Sequence, residues 1–445
     1  MKNINLENGS KIAVIGGGPA GSFFSIFAYD LADRMGLDIS IDIYEAKNFE
    51  KKGPTGCNHC GGIVSESLVQ MLSAEGIVIP SHVIRRGIES YTLHLEQGTT
   101  VIDTPFHEQR IASMFRGSGP LGSTDTSLKS FDAYLLELCK KKGATIYYEK
   151  VTDIENEPDG ITIVTSNSKT KYDLVVGAVG LNPKTLNLFQ KIIPGFKPPT
   201  TTKTYICEFD LGFEAVNKHF GNSMHVFLLN LPNIKFGALI PKGNYVTLVL
   251  LGSEINREIV DSFVNSQTVR ACFPEGVEPK NINSCQCFPS INIKNAENPY
   301  SDRVVLIGDS SSSKLYKNGI GAAYITGKAA ATTVIFDGIA KEDFKKSFQP
   351  VCSKLDADNA IGKMIFLVTT IIQKSKFLKK GLFRMVVFEQ SKEGSQRKMS
   401  SVLWDTFTGS ASYQSILLRT LNPTVLVTLI WNIVISVFKP IKQKK

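Results

Sequence analysis

Residues Lys11–Glu45, KIAVIGGGPAGSFFSIFAYDLADRMGLDISIDIYE, decide the fold. The apolar run Ile12–Ile15 reads as a buried strand and enters Gly16-Gly17-Gly18-Pro19-Ala20-Gly21 directly. A helical apolar pattern follows, then the alternation Ile39, Ile41, Ile43 of a second strand that ends in Glu45. Strand, G-x-G-x-x-G turn, helix, strand and terminal acid together make the unit that holds a dinucleotide, FAD or NAD. Gly16 permits the tight turn, and Gly18 lets backbone amides approach the pyrophosphate. Gly21 lets helix and strand pack closely, and with Ala20 it opens a helix whose N-terminus carries positive partial charge. Glu45, 24 residues after Gly21, is placed to accept from ribose hydroxyls.

Composition frames this unit. A chain of 445 residues, 42% hydrophobic and 20% charged, buries a large core and divides into two or three domains, which argues against disorder. The opening MKNINLENGSK has no apolar run, so no secretory signal is expected and the chain reads as cytoplasmic. In that compartment eight cysteines read as thiols, metal ligands or redox groups rather than structural disulfides.

The net charge of +9 is concentrated at one end: residues 341–445 hold 18 Lys and Arg against 7 Asp and Glu, and the remainder is near neutral. The same region carries the apolar runs Met364–Ile372, Met385–Phe388 and Val425–Phe438. Lys374, Lys376, Lys379, Lys380 and Arg384 interleave with Phe377, Leu378, Leu382 and Phe383, as on a surface that faces anionic headgroups. Val425–Phe438 is 14 residues long and includes Thr428, Asn432 and Ser436, short for a bilayer span of about 20 residues. It reads as a segment lying in the interface, followed by Lys439, Lys442, Lys444 and Lys445. A buried C-terminal helix with a solvated lysine tail is the alternative. No nucleic-acid motif or aromatic platform accompanies the basic residues, so nucleic acid is not expected as a partner.

A second informative stretch is Val304–Ile307, a buried strand ending on Gly308-Asp309, followed by Asn318-Gly319-Ile320-Gly321-Ala322-Ala323 at the start of a helix over Gly319–Ile335. Asp309 at a strand's carboxyl end can bind a ribityl hydroxyl. The amides at Gly319, Ile320 and Gly321 can face a flavin's pyrimidine edge, where the helix dipole favours negative charge. Between the two motifs the pattern predicts helices over Val64–Glu75 and Phe131–Lys142. Strands are expected over Thr145–Lys150, Ile161–Thr165 and Tyr172–Gly177, with alternation over 88–111 and a β-rich stretch over about 200–290.

These motifs resemble the FAD-dependent family that includes geranylgeranyl reductases and, more distantly, aromatic-ring hydroxylases and flavin halogenases, over roughly residues 11–340. Cys60-Gly61-Gly62-Ile63-Val64-Ser65 is similar to the C-G-G-G-hydrophobic-S segment of prenyl reductases, and Phe236–Gly243 resembles a relaxed Y-x-W-x-F-P-K-G strand. The resemblance implies an α/β fold: a glutathione-reductase-like, FAD-binding Rossmann domain, an inserted β-rich substrate domain and a C-terminal helical region. The expected boundaries are 1–85, 128–200 and 295–340 for the FAD domain, 86–127 and 201–294 for the substrate domain, and 341–445 for the helices. It also implies that the backbone at Val151 contacts adenine.

The chain departs from the family pattern in several places. Gly177-Ala178-Val179-Gly180 lacks the Asp of G-A-D-G, which puts direct reduction by NADPH in doubt, and Leu128, Lys129 and Ser130 replace the Arg expected before Phe131-Asp132. The tryptophans of the halogenase strand are absent around Phe236–Pro241, and no second G-x-G-x-x-G follows a strand.

Cys57 and Cys60 form a CxxC and Cys285 and Cys287 a CxC, which leaves three readings open: a shared zinc or iron–sulfur site, a Cys57/Cys60 redox dithiol, or unconnected cysteines along a substrate channel. Cys139, Cys207, Cys272 and Cys352 read as core residues. The expected function is reduction of carbon–carbon double bonds of an isoprenoid lipid or quinone-like substrate by a protein peripheral to the cytoplasmic face of a membrane. NADPH or reduced ferredoxin would be the donor, and Cys60 and Tyr316 the catalytic candidates. Lys314 and Lys317, beside Tyr316, read as solvated charges. A flavin monooxygenase and an electron carrier that feeds membrane quinone are the alternatives.

Overall fold

The computed structural model describes residues 4–104, 111–279, 284–392 and 396–438. Part of the alternating stretch 88–111, part of the stretch 200–290 and the terminal lysines Lys439, Lys442, Lys444 and Lys445 lie outside them. The chain divides into two compact units, each built from three sequence segments.

The first unit comprises the residues up to Asn58, Phe115–Thr201 and Ser290–Ala357. Its six-stranded sheet runs Tyr300–Ser301, Val304–Leu306, Leu174–Gly177, β1 (Ser10–Ile15), β2 (Ile39–Tyr44), Thr145–Tyr147. All neighbours are parallel except the Tyr300–Ser301 edge. Ile15 pairs with both Tyr44 and Gly177, and Gly177 with Leu306, so the three strands that carry the motifs end level. Central parallel strands covered on both faces must be apolar throughout, and Ile12, Ala13, Val14, Leu174, Val175, Val176, Val304 and Val305 are fully buried. Helix α1 (Pro19–Met35) and the helix Gly319–Phe336 pack closely: a Cβ at Gly327 would lie 3.0 Å from the Ala20 carbonyl oxygen.

The second unit comprises His59–Met114, Thr202–Pro289 and the chain from Asp358 on. Its seven-stranded sheet runs Ser284–Cys287, Tyr205–Asp210, Tyr245–Gly252, Ile234–Lys242, Ser223–Phe227, Ser90–Leu95, Gly98–Asp103. A small sheet of Ile63–Val64, Ile111–Met114 and Ile84–Ile88 explains why residues 59–85 belong here and not with the nucleotide-binding segment: their strands pair with Ile111–Met114. From Asp358 on the C-terminal helices belong to this unit, whereas residues 341–357 belong to the first. Lys379 and Glu96 pair at 2.5 Å, and Gln373 Nε2 donates to the Lys235 carbonyl at 2.9 Å.

Most secondary-structure expectations shift at their ends, but the strand expected over Tyr172–Gly177 divides between two sheets as Lys169–Tyr172 and Leu174–Gly177, and the β-rich stretch also holds the helices Phe213–His219, Arg257–Val264 and Gln267–Arg270. Ser65 and Ser130 accept N–H bonds as caps, which starts the helices at Glu66 and Phe131. The strand expected over Thr145–Lys150 stops at Tyr147, where pairing with β2 ends.

Candidate functional site

Gly16 and Gly21 of the first turn sit where only glycine fits. Gly16 has φ +107°, and a Cβ there would overlap the Ala178 carbonyl. At Gly21 a Cβ would strike the Gly16 carbonyl and stand 2.9 Å from Val14 Cγ1, so the helix seats directly on the strand. Gly18 caps α1 without any side-chain bond, and Pro19 follows at the first helical position. The first-turn amides are thus left facing outward with the dipole's positive end, a cradle for a pyrophosphate.

Glu45 supports this turn from below. Its Oε2 accepts from Gly17 N–H at 2.8 Å and its Oε1 from Lys47 N–H at 2.8 Å. Burial raises its carboxyl above the usual value, and the two amides and the Lys47 charge only partly oppose that. Each oxygen retains a second lone pair, so the expected ribose contact and the observed loop contact are compatible.

An arginine that sequence reasoning missed stands over Gly18. Arg116 binds Asp132 through Nε to Oδ1 at 3.0 Å and through Nη2 to Oδ2 at 2.8 Å, and the Asp132 side chain is fully buried. Asn58 Nδ2 donates to the same Oδ2 at 2.5 Å. A Cβ on Gly18 would lie 3.4 Å from Arg116 Nη2 and 3.7 Å from Asn58 Nδ2, so both donors border the cradle. Ser130 Oγ donates to the Arg116 carbonyl at 2.5 Å, which brings the residues before Phe131-Asp132 against Arg116 across a 14-residue separation. The arginine absent from positions 128–130 is supplied by the end of the preceding strand. The only local signal was an Arg followed by a Gly- and Ser-rich loop.

The second motif closes on the first. Gly308 has φ +63°, donates its N–H to Thr326 Oγ1 at 2.9 Å, and would place a Cβ 2.7 Å from that of Ala20. Ser310 Oγ binds the Gly177 carbonyl at 3.0 Å, and Asn292 Nδ2 donates to the Asp309 carbonyl at 3.4 Å. The Asp309 Oδ1 lies 3.8 Å from the Cβ position of Gly319, at the N-terminus of the second helix. Asn318, at φ +53°, caps that helix by accepting from Gly321 N–H at 3.0 Å, and Ile320 is buried beneath it. Tyr316 also adopts a left-handed backbone, φ +62°. Lys317 departs from the solvated charge expected for it: desolvation pushes its ammonium down to about 7. Val151 is buried among Ile154, Ile161 and Ile163, beside the first strand of a small antiparallel sheet.

In the second unit, Cys60-Gly61-Gly62 lies against the strands Ile234–Lys242 and Tyr245–Gly252. A Cβ on Gly61 would be 3.0 Å from Val249 Cγ2, and one on Gly62 2.9 Å from Lys242 Nζ. Gly62 N–H points at Cys60 Sγ, 3.4 Å away. Lys242 is fully buried, with its ammonium 3.5 Å from Glu208, whose carboxyl burial raises. Thr247 Oγ donates to that carboxylate at 2.6 Å. The candidate residues therefore fall in both units: Tyr316 and Cys57 in the first, Cys60, Cys285 and Cys287 in the second.

All eight cysteines are free thiols. Cys60, Cys285 and Cys287 do not converge as ligands: among the described residues, the single group of three or more with ligand atoms within 4.8 Å is His94, His225 and Cys272. Cys285 and Cys287 are instead successive same-face positions on an edge strand, opposite Glu208 and Ile206. Cys272 belongs to that buried group as well as to the core.

The basic-apolar region is also rearranged. Lys379 is not on a basic surface: its side chain is 3% exposed and paired with Glu96. The helix Pro423–Phe438 is inverted relative to a core helix. It buries Val425, Asn432 and Ser436, while Val427, Ile430, Trp431, Val434, Val437 and Phe438 are exposed. Gly381 admits Ile433 against the helix Lys376–Gln390, and Ser436 Oγ donates to the Asn432 carbonyl at 2.6 Å, which satisfies the inward hydroxyl. Met364, Leu367, Val368 and Ile371, at helical spacing, are exposed as well. No single described helix is long and apolar enough to cross a membrane. The pair Tyr413–Thr420 and Pro423–Phe438, bent by 64°, passes that test together.

No family model matches the sequence, and no curated protein matches it. The fold has many relatives among solved structures. A geranylgeranyl bacteriochlorophyll reductase-like protein from Thermoplasma acidophilum superposes with a TM-score of 0.64 at 14% identity, over 96% of this chain and 100% of that one. A flavoprotein/dehydrogenase from Cytophaga hutchinsonii gives 0.60 at 15% identity, over 97% and 99%. The halogenase PltM, in complex with phloroglucinol and FAD, gives 0.60 at 12% identity, over 96% and 91%. The chain has the fold of the FAD-dependent, aromatic-hydroxylase-like flavoproteins, the group to which its sequence motifs point.

Proposed function

We propose that the chain is an FAD-dependent oxidoreductase that reduces carbon–carbon double bonds of an isoprenoid lipid or quinone-like substrate at the cytoplasmic surface of a membrane. FAD fits the first unit: Gly16 and Gly21 let the turn and helix close tightly on the strand, and Gly18 leaves room that a side chain would fill, bordered by Arg116 and the outward first-turn amides. Bound and reduced, FAD supplies a hydride to one carbon of the double bond.

The chain's own residues do the rest. The amides of Ala20 and Gly21 would bind phosphate, with Arg116 as the cation beside them, and Glu45 would accept from ribose. Asp309 would accept from the ribityl chain, and the amides of Gly319 and Ile320 would face the pyrimidine edge. Lys317 holds a proton at Nζ that is labile near neutrality. Tyr316 and Cys60 are the other proton-bearing candidates. Val179 in place of the family Asp favours reduced ferredoxin over NADPH as the donor.

The observation that carries the lipid reading is the inverted helix Pro423–Phe438, which turns Asn432 and Ser436 inward and its aliphatic and aromatic side chains outward. Outside water, that arrangement costs nothing; in water it exposes a continuous apolar strip. Exposed Lys363, Lys374 and Lys376 in the same C-terminal region suit an anionic leaflet.

The test is anaerobic incubation of the dithionite-reduced protein with a geranylgeranyl glycerolipid in phosphatidylglycerol vesicles, followed by mass spectrometry. The expected product carries two additional hydrogens per reduced bond. No gain in mass, with substrate-dependent oxygen uptake under air, would assign the chain to flavin monooxygenation instead.

A further inference from the structure

The second unit brings together three metal-ligating side chains from three separate elements. His94 lies on the strand Ser90–Leu95, His225 on its parallel neighbour Ser223–Phe227, and Cys272 two residues past the short helix Gln267–Arg270. All three are buried, with ligand atoms within 4.8 Å of one another. His94 Nε2 is 3.1 Å from His225 Nδ1 and 3.7 Å from Cys272 Sγ. In the parallel ladder His225 stands opposite Thr92, and His94 is the next residue on that face.

The outer contacts prepare the imidazoles as ligands. Thr99, directly across the hairpin from His94, holds its hydroxyl oxygen 3.0 Å from His94 Nδ1. With the Nδ1 proton donated to Thr99, the Nε2 lone pair points into the cluster, the outer-partner arrangement that orients metal-bound histidines. Phe227 stacks on the His94 ring at 4.5 Å and 10°, and Phe220 packs against His225 at 4.9 Å. His94 and His225 are 5% and 7% exposed.

We infer that His94, His225 and Cys272 form a closed structural site for one copper(I) ion. Two imidazoles and a thiolate are a soft donor set suited to thiophilic ions. Charge selects among these. The surroundings are apolar, with Phe220, Phe227 and Phe273 in the same core. Two neutral rings and one thiolate cancel a monovalent cation, whereas a divalent ion would leave a net positive charge buried. Binding replaces the Cys272 S–H bond by an S–Cu bond and releases that proton to solvent. His225 binds through Nδ1 with its own proton on Nε2, and no electron is transferred. The ion ties the two histidine strands to the Cys272 segment, and it enters during folding because the closed site has no exposed ligand.

The test uses the full chain with Cys57, Cys60, Cys285 and Cys287 changed to Ser, so that half-buried thiols do not contribute. The protein is expressed with added copper and purified anaerobically without chelators, and its metal content is measured. One copper per chain is expected, falling at least tenfold in Cys272→Ala and in His225→Gln, with flavin content as the folding check. X-ray absorption of the parent should show one sulfur and two nitrogen ligands, a readout that stands even if both variants fail to fold. Absence of copper from the parent overturns the inference. So does copper that both folded variants retain, an all-sulfur ligand shell, or one equivalent of zinc in copper's place.

Discussion

The nucleotide cradle and the C-terminal helices obey opposite rules of placement. In the cradle, glycines are forced by backbone: φ +107° at Gly16, +63° at Gly308, and carbonyls where any Cβ would sit. In the last helix no backbone constraint acts, and the choice lies in which face meets protein, with Asn432 and Ser436 turned in and Trp431 turned out. In the proposed function the first region holds a bound group and the second meets a membrane surface. Damage to one should therefore leave the other's function intact.

The largest effect separates the two. Gly16→Val meets both a left-handed backbone and the Ala178 carbonyl. It should abolish flavin retention, with FAD content on gel filtration falling by more than a hundredfold. Arg116→Met comes next. It removes the bidentate partner of a fully buried Asp132, a loss of about 3–5 kcal/mol for a broken buried pair. Thermal unfolding should shift sharply downward and FAD bind at least tenfold more weakly, while vesicle binding by the folded fraction is unchanged. The mirror experiment is Ile430→Ser, Trp431→Ser and Val434→Ser together. Each side chain contributes roughly 1.5–3 kcal/mol if fully buried in lipid. Co-sedimentation with phosphatidylglycerol vesicles should be lost and FAD content unaltered. Equal loss of both would break the comparison.

A pH effect should be confined to the first region. Lys317 has its folded-state value lowered to about 7, so between that and its ordinary value the unfolded chain binds more protons than the folded one. Its contribution to stability therefore rises with pH across that window and is lost as pH falls through 7. As a proton donor, it is competent below about 7, and turnover should decline above it. In Lys317→Met that alkaline decline should flatten, as read from the pH profile of kcat. The smallest expected change is Asn318→Gly, which loses the cap to Gly321 N–H but relieves a left-handed backbone. The net should be a few tenths of a kcal/mol in denaturant unfolding.

The same contrast explains what the sequence disclosed. Gly16–Gly21, Glu45 and Gly308–Gly321 were legible because backbone geometry at a turn is decided by adjacent residues. Arg116 was not, because its meeting with Asp132 depends on a loop returning the chain across 16 residues. Lys379 read as part of a headgroup-facing surface and Lys317 as a solvated charge because periodicity does not tell which lysine finds a carboxylate or is desolvated. The CxxC and CxC spacings were conspicuous yet did not gather ligands, whereas His94, His225 and Cys272 had no spacing to notice. Strand order brought the histidines together, and the segment after the helix Gln267–Arg270 brought Cys272 to them.

The central claim is that the first unit holds FAD between Gly16–Gly21 and Asp309. Its most direct test is the absorption spectrum and flavin content of the freshly purified full-length protein. A yellow protein with one FAD per chain, released on denaturation, is the predicted result. A folded, colourless protein that takes up no added FAD would contradict it.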